Sequence, residues 1–101
     1  MNIVSTAGVS AKPERSVYNA SKWAMTGFTK CMQEELKDTN LRVMGLYPSF
    51  MNTTLFKNAG NERDNYDVAL DPDELAKTIE FILTLQPTTS LTEVGIRNIQ
   101  Y

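Results

Sequence analysis

Tyr18-Asn19-Ala20-Ser21-Lys22 places a phenol and an ammonium four residues apart in a stretch that reads as helix. Residues at i and i+4 share a helix face, with Cβ atoms roughly 5–6 Å apart. A free phenol ionises near about pH 10. A neighbouring cation favours its charged form and lowers that value. Such a pair can pass a proton to or from a substrate oxygen near neutral pH. The same two residues also suit an ordinary solvated helix face, so the flanking sequence has to decide between the readings.

Working upstream, Met1 to Thr6 is a short apolar, β-branched run that reads as a buried strand ending in Ala7-Gly8. A buried strand needs a neighbour on each edge, so a further strand is expected before it. Residues 9–16 read as a loop, with Pro13 and a charged patch at Lys12, Glu14 and Arg15. Ser16 is a suitable helix N-cap. From Val17 to about Lys37, Ala20, Ala24, Phe28, Cys31, Met32 and Leu36 recur at threes and fours, the period of an apolar helix face. The small residues Ala20, Ala24 and Gly27 would let that face pack closely on a sheet. Cys31 reads as part of the packing. Trp23 and Met25 widen the arc, which suits either core filling or a helix–helix contact between subunits.

Downstream, Leu41 to Tyr47 is a nearly continuous apolar run that Pro48 should stop, as in a parallel strand covered on both faces. Residues 49–70 read as a long loop. Phe50, Met51, Leu55 and Phe56 near its start suggest a lid over a substrate pocket, with a mobile tip from Asn58 to Asp67. Asp71-Pro72-Asp73-Glu74 combines an N-cap, a proline at the first helical position and first-turn acids. Leu75, Ala76, Ile79, Ile82 and Leu83 form the apolar face of the helix it starts. Val94 and Ile96, with Ile99 and Tyr101 beyond, give a third strand. Strand, helix, strand, loop, helix, strand implies right-handed crossovers and a parallel α/β sheet.

Composition narrows the chemistry. A chain of 101 residues with 42% hydrophobic and 22% charged side chains suits one small folded domain. A net charge of −2 argues against nucleic-acid partners and anionic membranes. No apolar run is long enough to span a bilayer, and no signal-peptide pattern opens the sequence. One cysteine allows no internal disulfide and points to a reducing, cytoplasmic compartment. The sequence has no histidine, so neither a His-ligated zinc site nor a Ser-His-Asp triad can form within it. No metal is expected. Neither a GxGxxG turn nor a phosphate-binding P-loop occurs.

Three features share one register. Ser5 ends the first strand 18 − 5 = 13 residues before Tyr18, Lys22 follows Tyr18 by one helical turn, and Thr53 lies five residues after Pro48. Through Asn2-Ile3-Val4-Ser5-Thr6-Ala7-Gly8, Tyr18-Asn19-Ala20-Ser21-Lys22 and Leu41-Arg42-Val43-Met44-Gly45-Leu46-Tyr47-Pro48-Ser49, the chain resembles the C-terminal half of the short-chain dehydrogenase/reductase family. The resemblance runs over nearly all of it. It implies a doubly wound, Rossmann-type parallel sheet, of which this chain supplies the last three strands and their helices. Residues 1–101 would be the C-terminal catalytic portion of a single domain, without its nucleotide-binding N-terminal half.

The implied reaction is hydride transfer between NAD or NADP and a small carbonyl/alcohol substrate. On the family pattern Ser5 holds the substrate oxygen, Tyr18 is the acid or base, and Lys22 assists the phenol and binds the nicotinamide ribose. Pro48, Ser49, Met51 and Thr53 would border the nicotinamide. Family members are often oligomers through the helix that carries the tyrosine, which agrees with the apolar width at Trp23 and Met25. Two local departures stand out: Ser49 replaces the family's glycine after the proline, and Val4 stands where many members have a second serine. The glycine-rich turn, the residue that selects between the cofactors and the asparagine of the proton relay are not in this sequence. The isolated chain is therefore expected to be inactive, or to act as an oligomerising or binding module, and to self-associate.

Overall fold

The computed structural model describes residues 1–60 and 64–101. Its elements are strand β1 (Asn2–Ile3), helix α1 (Ser16–Glu35), strand β2 (Gly45–Pro48), helix α2 (Leu55–Asn58), helix α3 (Pro72–Leu83) and strand β3 (Glu93–Ile96). Single 3-10 turns cover Thr6–Gly8 and Tyr66–Val68. The strands form one parallel sheet in the order β1-β2-β3. Asn2 pairs with Gly45, and Gly45 with Glu93. Helix α1 covers one face, where the Asn2 side-chain amide donates to Thr29 Oγ1 at 2.9 Å. Helix α3 covers the other, burying Leu75 and Ile82 against Met44 and Leu46. This is the expected α/β, Rossmann-type arrangement, present as three strands.

Helix α3 forms as its sequence dictates. Asp71 caps it, accepting from the Asp73 backbone at 2.9 Å, and Pro72 opens the first turn where its missing N–H costs nothing. Leu75, Ile79 and Ile82 meet the sheet, while Ala76 and Leu83, expected on the same face, are exposed. The strands are shorter than expected. β1 is two residues, and β2 runs from Gly45 through Pro48 instead of from Leu41 to Tyr47. Pro48 is the last paired residue, opposite Ile96, and the next amide, Ser49, carries the ladder on to Ile96 O at 2.9 Å. Arg42 lies ahead of the strand, its guanidinium donating to the Gln86 and Thr89 carbonyls. After Ile96 the chain turns away, and Ile99 is 96% exposed.

Helix α1 departs most from the expectation. Its N-cap is Arg15, without a side-chain bond, and Ser16 is the first helical residue. Its buried residues are Asn19, Thr26 and Thr29, whereas Ala20, Ala24, Phe28 and Cys31 face outward. The polar face turns inward with every hydroxyl bonded and the Asn19 amide nitrogen bonded, although Asn19 Oδ1 is buried without a partner among the described residues. Asn19 donates to the Ser10 carbonyl at 2.8 Å, Thr26 to Gly8 O at 2.9 Å, and Thr29 to Met25 O while accepting from Asn2. A satisfied hydroxyl or amide can be buried at little cost.

The stretch from 49 to 70 is not a plain loop. Its two ends are zipped together by a Met51–Leu70 bridge, with Leu70 N donating to Phe50 O at 2.7 Å and Asn52 N to Leu70 O at 3.1 Å. Helix α2 and the Tyr66–Val68 turn lie between those ends. Residues 61–63 of the expected tip lie outside the described residues.

Candidate active site

Parallel strands converge their C-terminal ends on one side of a sheet, and in open α/β folds ligands bind there. Here β1 runs out into Ser5 and β2 into Pro48 and Ser49, and a cleft of about 1060 Å³ opens beyond them. Ser5, Tyr18 and Lys22 all line it, as do Pro48, Ser49, Met51 and Thr53. All seven expected site residues therefore face one cavity.

Local structure fixes each group. Ser5 caps the turn Thr6–Gly8, its Oγ accepting from Ala7 N at 3.1 Å. That bond uses an acceptor lone pair and leaves the hydroxyl proton available to a ligand. Gly8 lets the turn lie against α1: a Cβ there would stand 2.6 Å from Thr26 Oγ1 and 2.8 Å from the Lys22 carbonyl and from Val4 Cγ1. Thr26 donates into that contact at Gly8 O. The serine-bearing turn and the lysine-bearing helix are thereby set at a fixed distance. Asn19, beside Tyr18 in sequence, ties the first turn of α1 to the preceding loop through Ser10.

Tyr18 is 43% exposed and lines the cleft. The Lys22 ammonium lies 5.9 Å from the centre of its ring and also donates to Met25 Sδ at 3.8 Å. Ser49 is buried, and its Oγ has no hydrogen-bond partner. Among the described residues only Ser5 and Glu14 are non-glycine residues with positive φ. Ser49 thus sits in a backbone conformation that side chains tolerate. Thr53 Oγ1 accepts weakly from Leu55 N at 3.4 Å, opening α2.

The far wall is aromatic. Phe50 is buried, and its ring centre lies 5.2 Å from that of Phe56, 5.5 Å from Tyr66 and 5.9 Å from Tyr101. Lys12 crosses the mouth, donating to Tyr101 Oη at 3.1 Å with its ammonium 4.7 Å from the ring centre. Phe50, Met51, Leu55 and Phe56, expected as a lid, all line the cleft. Tyr101, Lys12 and Arg15 line it too. Sequence reading left Tyr101 in a strand and the two cations in a surface patch. Only their spacing around Pro13, just before the tyrosine helix, could have hinted otherwise.

A family model described as short chain dehydrogenase matches residues 1–64. The chain belongs to the short-chain dehydrogenase family. Among its relatives, a 3-oxoacyl-[acyl-carrier-protein] reductase of Synechocystis sp. is 33% identical over 88 residues, covering 83% of this chain and 36% of that protein. Carbonyl reductase family member 4 of Xenopus tropicalis is 32% identical over 89 residues, covering 82% and 37%. The chain thus spans little more than a third of these short-chain dehydrogenase relatives. A serine dehydrogenase solved with NADP+ superposes with a TM-score of 0.85 at 24% identity, over 99% of this chain and 44% of that one, a likeness of fold alone. A 4-hydroxyisoleucine dehydrogenase solved with NADH matches with a TM-score of 0.77 at 28% identity, over 96% and 44%.

Proposed function

We propose that residues 1–101 form the C-terminal, catalytic portion of a single Rossmann-type domain that oxidises an alcohol or reduces a carbonyl with NAD or NADP. The observation that carries this reading is the meeting of Ser5, Tyr18 and Lys22 in one cleft at the carboxyl ends of parallel strands. The nicotinamide end of such a cofactor fits the groups present. Lys22 has no carboxylate within ion-pair distance among the described residues, which suits ribose hydroxyls, and the unpartnered Ser49 hydroxyl suits a polar neighbour. Pro48, Met51 and Thr53 complete that wall. When bound, the nicotinamide supplies or accepts the hydride.

The chain's own groups manage the oxygen. Ser5, oriented by Ala7 N, donates its hydroxyl proton to the substrate oxygen. Tyr18 gives its proton to that oxygen in reduction and takes it back in oxidation. Lys22 supplies positive charge beside the phenol. Phe50, Met51, Leu55 and Phe56 exclude water and strengthen these polar contacts. The setting is cytoplasmic on this reading; among the described residues no helix is long and apolar enough to cross a membrane.

NADH and NADPH titrated against the purified chain by fluorescence, followed by reductase assays, test the proposal. Tyr18→Phe should keep cofactor binding and lose at least about a hundredfold in turnover, the scale of a lost acid–base group. Undiminished turnover in that variant would refute the assignment.

A second reading is favoured by the outer face of α1, where Val17 is 83%, Phe28 60% and Trp23 51% exposed. There the chain is a non-catalytic short-chain dehydrogenase segment that joins a second copy through this helix. Binding of neither nicotinamide, together with a dimeric mass, would select it.

A further inference from the structure

Among the described residues, five charged side chains line the cleft: Lys12, Arg15 and Lys22, with Glu14 and Asp64. The ion pairs among the described residues, Lys30–Glu93, Lys37–Glu34 and Lys77–Glu74, all lie elsewhere. None of the three cleft cations therefore has a carboxylate at contact distance. Lys12 is held by Tyr101, and Lys22 by the Tyr18 ring and Met25. Arg15 differs. It is half-buried, yet its guanidinium makes no hydrogen bond, ion pair or ring contact among the described residues. A partly desolvated cation without an acceptor costs free energy that an incoming anion would recover.

We propose that Arg15 binds the carboxylate of the substrate, and that the substrate is a short oxo acid or the corresponding hydroxy acid. This deepens the oxidoreductase reading and rests on it. Arg15 is the N-cap of α1, three residues ahead of Tyr18, and both line the same cleft. A carboxylate on Arg15 then leaves only a few carbon atoms before the carbonyl that Tyr18 must reach. The planar guanidinium offers two parallel donors that match a carboxylate. One free fork matches a single carboxylate in geometry and in charge. The carbon chain between the two polar ends would lie against Phe50, Met51 and Phe56.

The test compares 4-oxopentanoate with its methyl ester on the full chain by saturation-transfer NMR, without nicotinamide. The acid should bind at least about tenfold more tightly, the scale of a charge-assisted hydrogen bond. Arg15→Gln should abolish that advantage and leave the ester unaffected. Arg15→Lys should keep part of it, and Lys30→Gln, outside the cleft, all of it. Added salt should weaken the acid alone. Circular dichroism checks folding; if Arg15→Gln unfolds, Arg15→Lys and the salt series decide. Equal affinity for acid and ester, a preference that survives Arg15→Gln, or no binding of either at tens of millimolar overturns the proposal. Hydride transfer is followed separately with NADH and NADPH. Arg15-dependent acid binding without hydride transfer would leave the anion site standing and remove the oxidoreductase reading. Hydride transfer without acid preference would do the reverse.

Discussion

At the scale of single residues, the cleft depends on groups that never touch a substrate. Gly8 is the sharpest case. A methyl group at that position would intrude on Thr26 Oγ1, the Lys22 carbonyl and Val4 Cγ1 at once, and two of these three atoms belong to helix α1. Gly8→Ala should cost about 1–3 kcal/mol, as overpacking does, read as a lower urea midpoint. A midpoint equal to that of the parent would show that the turn and helix can part freely. That Tyr18, Lys22 and Ser5 share one cleft could be expected from the sequence, because their chemistry and spacing are specific together. The placement of Gly8, Asn19 and Thr26 could not. A glycine forced by contact 18 residues away carries no local mark, and a buried threonine looks like a surface threonine until its acceptor is known. Arg15 and Lys12 were visible only as charge, because which way a loop side chain turns depends on the fold around it.

At the scale of elements, the two long helices show when periodicity succeeds. In α3 the expected apolar positions Leu75, Ile79 and Ile82 do meet the sheet, although Ala76 and Leu83 do not, and the cap and proline marked its start in the sequence. Ile82→Ala should lose about 2–5 kcal/mol, while Leu83→Ala, at an exposed neighbour, should change stability by no more than about 0.5 kcal/mol. Paired thermal or urea denaturation checks both. Similar losses for the two would mean that the helix is rotated from the orientation described. In α1 the same rule reversed the faces. Apolar spacing marked Ala20, Ala24, Phe28 and Cys31 as inward, yet hydrogen-bonded Asn19, Thr26 and Thr29 occupy that side. Periodicity registers an apolar stripe without saying whether a sheet or another molecule covers it. The tether between Lys30 on α1 and Glu93 on β3 lies in solvent and adds little to this orientation.

At the scale of the whole molecule, the outer stripe of α1 is a consequence of that reversal. Val17 and Phe28 stand well exposed on it. Self-association is expected, and Val17→Lys with Phe28→Glu should shift the mass measured by light scattering toward a single chain. A parent protein that stays monomeric at high concentration would contradict the expectation. The sheet adds a second feature. Its spatial order, β1-β2-β3, copies the order in which the strands occur along the chain. Folding in chain order would let every later strand dock on the flank left by its predecessor. Serine, tyrosine, lysine and proline all come from the earlier segments, so a growing polypeptide could assemble the reactive side of the cleft before its aromatic back wall at Tyr101 had left the ribosome.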